Sequence, residues 1–175
     1  STPGTASGGN LLISGTPTLS VGTGGRISLF TGSLTGSTGL TSLSGLTAGT
    51  GRFRYNADES TSFSSAPWTA LSSGVYGIYR ERPTATPDNL NQVITYGDSF
   101  ALSTSASGLV NGDTMSQSVT SPFYSSGRLN ANATPYTISN NLTGLGYSVS
   151  ANTLTVNRKA LTSSGLSSAN KVYNG

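Results

Sequence analysis

Arg52-Phe-Arg-Tyr55 sets two arginines against two aromatic rings in strict alternation. Successive side chains of an extended strand point to opposite faces, so both arginines fall on one side and both rings on the other. The same period recurs around it. Arg26-Ile-Ser-Leu-Phe30 places Ile27 and Leu29 on one face, Leu11-Leu-Ile13 is a short apolar run between Gly9 and Gly15, and Val75-Tyr-Gly-Ile-Tyr79 follows. Clusters of Gly, Ser and Thr separate these runs and read as turns. Helical periodicity is nearly absent. Each short candidate meets Gly, Ser or Thr within a turn; Gly costs about 1 kcal/mol in a helix interior, and Ser and Thr compete for the backbone. The chain is expected to be all-β.

Composition narrows the chemistry. The 175 residues include 31 Ser, 25 Thr and 23 Gly, with no Cys, no His and one Trp. Without Cys there are no disulfides, thiol nucleophiles or thiolate metal sites. Apolar residues make up 34%, so a narrow core filled out by small polar residues is expected, as in thin sandwiches and solenoids. Charged residues make up 9%, against about 25% in typical domains. The basic residues are scattered, with one modest group at Arg52, Arg54, Arg80 and Arg82, which reads as solvated strand positions, with a binding patch as the other reading. Nucleic acid, which selects a basic face, is not an expected partner. No apolar run reaches 18 residues. Ser1-Thr-Pro-Gly4 lacks the basic and apolar regions of a signal peptide, so a signal for export would lie elsewhere.

Two prolines and much of the local charge fall in Arg80-Glu-Arg-Pro-Thr-Ala-Thr-Pro87. Pro resists central strands and favours extended linkers, which places a boundary here. Residues 1–82 then read as stacked short strands of the kind a parallel β-helix uses, with Gly and small polar residues at its corners. Residues 88–159 are more regular. A strand over Val93–Tyr96 turns at Gly97-Asp98, and Phe100 and Leu102 continue it. Gly108-Leu-Val-Asn-Gly-Asp113 is a loop, and Met115–Tyr124 gives one strand, or a pair bent at Pro122. Tyr136 and Ile138, Tyr147 and Val149, and Leu154 and Val156 alternate, with Ala151-Asn152 as a hairpin turn between the last two pairs. Residues 160–175 read as a linker or the start of a following unit of a longer, modular chain.

The second unit carries a family likeness. Val93-Ile-Thr-Tyr-Gly-Asp98, Gly108-Leu-Val-Asn-Gly-Asp113, Tyr136-Thr-Ile138, Tyr147-Ser-Val149 and Asn152-Thr-Leu-Thr-Val156 together resemble a bacterial MBG domain of the YGX type. Lys171-Val-Tyr-Asn-Gly175 resembles the start of a YDG module, with Asn174 where Asp is usual. Ser28-Leu-Phe-Thr-Gly-Ser33 and Gly51-Arg-Phe-Arg-Tyr-Asn56 resemble the end of the haemagglutination-activity β-helix of two-partner-secretion, filamentous haemagglutinin-like exoproteins. The resemblance implies a β-helix end or cap followed by a small β-sandwich or β-grasp-like module. It also implies export through an outer-membrane pore, display on the bacterial cell surface, and a role in adhesion or biofilm scaffolding. The implied partners are other modules of the same chain and a host-cell receptor, glycan or exopolysaccharide.

Chemistry-bearing groups are few. The carboxylates are Asp58, Glu59, Glu81, Asp88, Asp98 and Asp113. Asp58 and Glu59 are adjacent and in a strand would face opposite sides. Asp98 and Asp113 follow Gly in turns and read as Asx caps of those turns; a shared cation site is the other reading, but no loop supplies the six to eight oxygens Ca²⁺ needs. Ser nucleophiles lack a His base, and a Ser–Lys pair with Lys159 or Lys171 sits in no recognised motif. No catalytic residue, cofactor or metal is expected, and a glycosidase would need two carboxyls converging on one bond. Tyr55, Trp68, Tyr76 and Tyr79 lie near Arg52, Arg54, Arg80 and Arg82 in sequence. They read either as the capping core of a solenoid end or as a glycan or protein contact. Asn132-Ala-Thr134 and Asn141-Leu-Thr143 match the N-glycosylation pattern.

Overall fold

The computed structural model describes Gly4 and residues 8–119, 129–132 and 134–165. The fold is all-β, built from small, open sheets. In chain order the described strands are β1 (Arg26–Thr31), β2 (Phe53–Arg54), β3 (Gly74–Tyr79), β4 (Thr84–Pro87) and β5 (Gln92–Thr95). They continue with β6 (Ala106–Ser107), β7 (Gln117–Val119), β8 (Tyr136–Asn140), β9 (Ser148–Val149) and β10 (Thr153–Asn157). The short helix α1 (Leu142–Leu145) separates β8 from β9, and a 3₁₀ turn spans Leu40–Ser42.

The first sheet is parallel, with order β1-β3-β2. Ile27 pairs with Val75, and both Leu29 and Phe53 pair with Gly77. Its strands are covered on both faces, as parallel sheets usually are. Ile27, Leu29, Phe53, Val75 and Tyr79 pack into one core, while Phe30, Tyr76 and Ile78 pack into another on the opposite face. The alternation of Arg26–Phe30 and Arg52–Tyr55 therefore holds. At the centre of β3, a Cβ on Gly77 would lie 2.9 Å from the ring of Phe53; the ring occupies the space a side chain would need. Successive rungs of a β-helix stack in chain order, whereas here β3 lies between β1 and β2, and no β-helix is seen among the described residues.

The second sheet has order β5-β10-β8-β7, with β10 parallel to β5 and antiparallel to β8. Val119, Leu129, Ile138, Leu154 and Val156 form its core, and Ile94, Phe100, Leu102 and Tyr136 pack against it. Phe100 and Leu102 reach this core from an irregular segment rather than from the expected strand continuation. The third sheet has order β6-β4-β9.

Two local expectations are corrected. The Pro-rich stretch is not a linker: β4 is a central strand, antiparallel to β6 and parallel to β9. Both prolines avoid the need to donate. Pro83 only accepts, from the Ser148 N–H at 2.9 Å, and Pro87 ends the strand in the buried interior. Ala151-Asn152 is not a hairpin turn, because β9 and β10 belong to different sheets. Asn152 is buried there, accepting from the Asn91 N–H at 2.8 Å and donating to the Asn89 carbonyl at 3.1 Å.

One core cluster runs from Leu40 through Tyr55 and Tyr79 to Leu142 and Tyr147, so residues before and after the Pro-rich stretch pack together. No helix among the described residues is long and apolar enough to cross a membrane. The expected module start at Lys171–Gly175, and the expected strand beyond Val119, lie outside the described residues.

Candidate functional site

The five residues singled out from sequence divide sharply. Arg54, Tyr55, Tyr76 and Tyr79 are buried, and only Trp68 is half-exposed. The four do not line a groove open to solvent. Tyr55 stacks on Tyr79 with ring centres 5.6 Å apart and meets Tyr147 edge-on at 4.8 Å. Arg54 is 2% exposed, so it is not the solvated strand position its sequence context suggested. Its guanidinium donates to the carbonyls of Gly51 and Phe53 at 2.9 and 2.7 Å, and to Thr69 at 3.3 Å. Burial lowers its pKa, opposed by Tyr76 and Asp113. The guanidinium carbons of Arg52 and Arg54 lie 5.4 and 5.5 Å from the centre of the Tyr76 ring, within cation–π range.

The residue that the sequence undervalued is Asp113. Its backbone N–H bonds to Val110, as a turn residue should, but its side chain points inward and is buried. Oδ2 accepts from the Tyr55 hydroxyl at 2.6 Å and the Tyr147 hydroxyl at 2.8 Å. Asn111 donates to the Tyr55 oxygen at 3.0 Å, and the Val110 N–H donates to the Tyr147 oxygen at 3.1 Å. Oδ1 is buried without a hydrogen-bond partner among the described residues. Burial raises the Asp113 pKa, against the lowering effect of the tyrosine hydrogen bonds and Arg54. Burial beside this carboxyl likewise raises both tyrosines.

The other carboxylates are dispersed. Asp58 accepts from Ser60 and Thr61 in its own turn, and Asp98 accepts from the Thr95 N–H, closing its turn onto a preceding residue rather than by the Asx bond to a following one. Glu59 pairs with Arg80, Glu81 accepts from the Leu34 N–H, and Asp88 accepts from Ser105. Among the described residues, no three His, Cys, Asp or Glu converge on a metal-sized site.

A concave surface does exist beside the buried aromatics. The loop between β2 and β3 lays Phe63, Trp68 and Leu71 against Tyr76 and Ile78 on the second face of the parallel sheet. At its edge is a hollow of about 320 Å³ lined by Arg26, Thr61, Ser62, Phe63, Ser64 and Leu71. Phe63 is braced edge-on by Trp68, ring centres 5.3 Å apart. Of the lining residues the sequence drew attention only to Arg26, as a strand start. The hydroxyls of Thr61, Ser62 and Ser64 were indistinguishable from the many others, and only the fold brings them to Arg26.

The chain matches no family model, no curated protein and no solved structure.

Proposed function

We propose that this chain is a structural module of a secreted bacterial surface exoprotein, serving cell adhesion and biofilm scaffolding. In this reading residues 1–82 end or cap a β-helix, and residues 88–159 form an MBG-like module of sandwich or β-grasp kind. Neighbouring modules of the same chain are its immediate partners, with an outer-membrane pore as its export route and a host receptor, glycan or exopolysaccharide as its distal contact.

The observation that supports the reading is the stitching between early and late segments. The Tyr55 N–H donates to Leu145, Thr69 to Gly144, and Gly49 to Asn111, at 2.9, 2.8 and 3.0 Å. Gly146 sits against this seam with φ of 102°, and a Cβ there would meet the Tyr55 carbonyl at 2.1 Å. Hydrogen bonds that tie early segments to late ones share a load applied to the two ends of the chain, which suits a spacer under tension. Single-molecule pulling from the two ends of the chain tests this. One cooperative rupture is expected; separate low-force release of residues 1–82 and 88–159 would overturn the load-bearing role. A glycan site made of Arg54, Tyr55, Tyr76 and Tyr79 is not part of the proposal, since these side chains are buried.

A further inference from the structure

We propose that the hollow beside Phe63 is a binding site for an acidic sugar residue, with the Arg26 guanidinium taking its carboxylate. The site is distinct from the load-bearing seam, and the mechanical reading stands or falls without it.

Three chemical features meet there. Arg26 opens β1, is exposed, and among the described residues forms no ion pair. Its one side-chain hydrogen bond among the described residues, to the Leu71 carbonyl, is long at 3.4 Å. A guanidinium carries five N–H donors in a planar fork that matches a carboxylate, so most of its donors remain for a ligand. Ser62 and Ser64 also line the hollow, with their hydroxyls 2.9 Å apart and either one able to donate to the other. Such a pair offers both a donor and an acceptor to ring hydroxyls. Phe63 and Leu71 give the hollow an apolar side, and an aromatic ring's negative face attracts the electropositive C–H groups of a pyranose. Thr61 is already committed to Asp58, through its hydroxyl and through the Asp58 N–H, which ties the hydroxyl-bearing limb of the loop to its own turn. The hollow's volume lies at the lower end of the range of about 300–1,000 Å³ for small-molecule sites, which suits one sugar ring rather than a peptide segment. Carboxylate, polyol and C–H face in one small ligand describe a uronic acid.

The test titrates the intact 175-residue chain with methyl glucuronide, methyl glucoside and acetate, following backbone amide shifts by NMR. Saturable glucuronide binding is expected, with shifts centred on residue 26 and residues 61–64. The glucoside and acetate should each bind at least about tenfold more weakly, because one lacks the charge-assisted hydrogen bonds and the other lacks the ring. Arg26→Gln should lose a similar factor, and Phe63→Ala should weaken binding with circular dichroism unchanged. The wild-type chain gives a second readout that needs no variant: glucuronide affinity should fall as salt rises. Absence of glucuronide binding, equal binding of the glucoside or acetate, or full affinity in Arg26→Gln would overturn the assignment.

Discussion

The hydroxyl of Tyr55 lies 2.6 Å from Oδ2 of Asp113, a bond between residues 58 positions apart that closes the early segment onto the late one. Tyr147 donates to the same oxygen. One buried carboxyl thus holds two tyrosines from two different parts of the chain.

The shared acceptor makes the two hydroxyls interdependent. Tyr55→Phe and Tyr147→Phe should each lower stability by about 1–3 kcal/mol in urea unfolding, the range for hydrogen bonds to a charged or buried partner. The double variant should depart from additivity by at least about 0.5 kcal/mol, as residues in one network do. Additive losses would show that the carboxyl treats the hydroxyls independently.

Asp113 also sets a pH dependence. Burial raises its folded-state pKa above the unfolded value, so folding favours the protonated form. This stabilisation is fully present below the unfolded-state value, about 3.9, and is lost as pH rises through the folded-state value. Stability measured for wild type relative to Asp113→Asn should therefore fall as pH rises above about 4. Asp58, held below its usual range by its hydrogen bonds from Ser60, acts in the opposite sense, but it is common to both proteins and cancels. A difference that stays flat with pH would contradict the burial argument.

The seam has no room for a side chain. Gly146→Ala forces a positive φ on an L-residue and drives its Cβ into the Tyr55 carbonyl and the Trp68 ring. A loss of about 2 kcal/mol or more is expected. Gly22→Ala, where the added Cβ meets nothing within 4 Å, should stay within about 0.5 kcal/mol of wild type. Thermal unfolding of the pair checks both.

Arg54 is held by its shape as well as its charge. Its donors reach three carbonyls while the guanidinium packs at the Tyr76 ring. Arg54→Lys keeps the charge but loses the planar fork, and a loss of about 1–3 kcal/mol is expected. If Lys is tolerated within about 0.5 kcal/mol in urea unfolding, the fork geometry is not what matters.

Local alternation was legible in the sequence, and long-range pairing was not. Arg26–Phe30 and Arg52–Tyr55 announce their two faces because side chains in a strand follow a period of two. Nothing in that period says that β3 inserts between β1 and β2, since strand order depends on contacts distant in the chain. Pro87 misled because its missing donor argues against a central strand, yet at the strand's last position no donor is needed. Ala151-Asn152 misled because a turn composition does not say which sheet follows. Asp113 looked like a turn cap and is one through its backbone, but its side chain answers to Tyr55 and Tyr147. The aromatic residues close together in sequence part in the fold: Tyr55 and Tyr79 enter the larger core, while Tyr76 lies on the opposite face under the loop that carries Phe63 and Trp68. The open hollow is built largely from serine and threonine, types too common here to carry a signal.

The insertion of β3 between two earlier strands has a temporal side. A polypeptide that emerges amino end first presents β1 and β2 without a ladder partner, because among the described strands each pairs only with the one that ends at Tyr79. Neither ladder of the first sheet can form until that keystone has appeared.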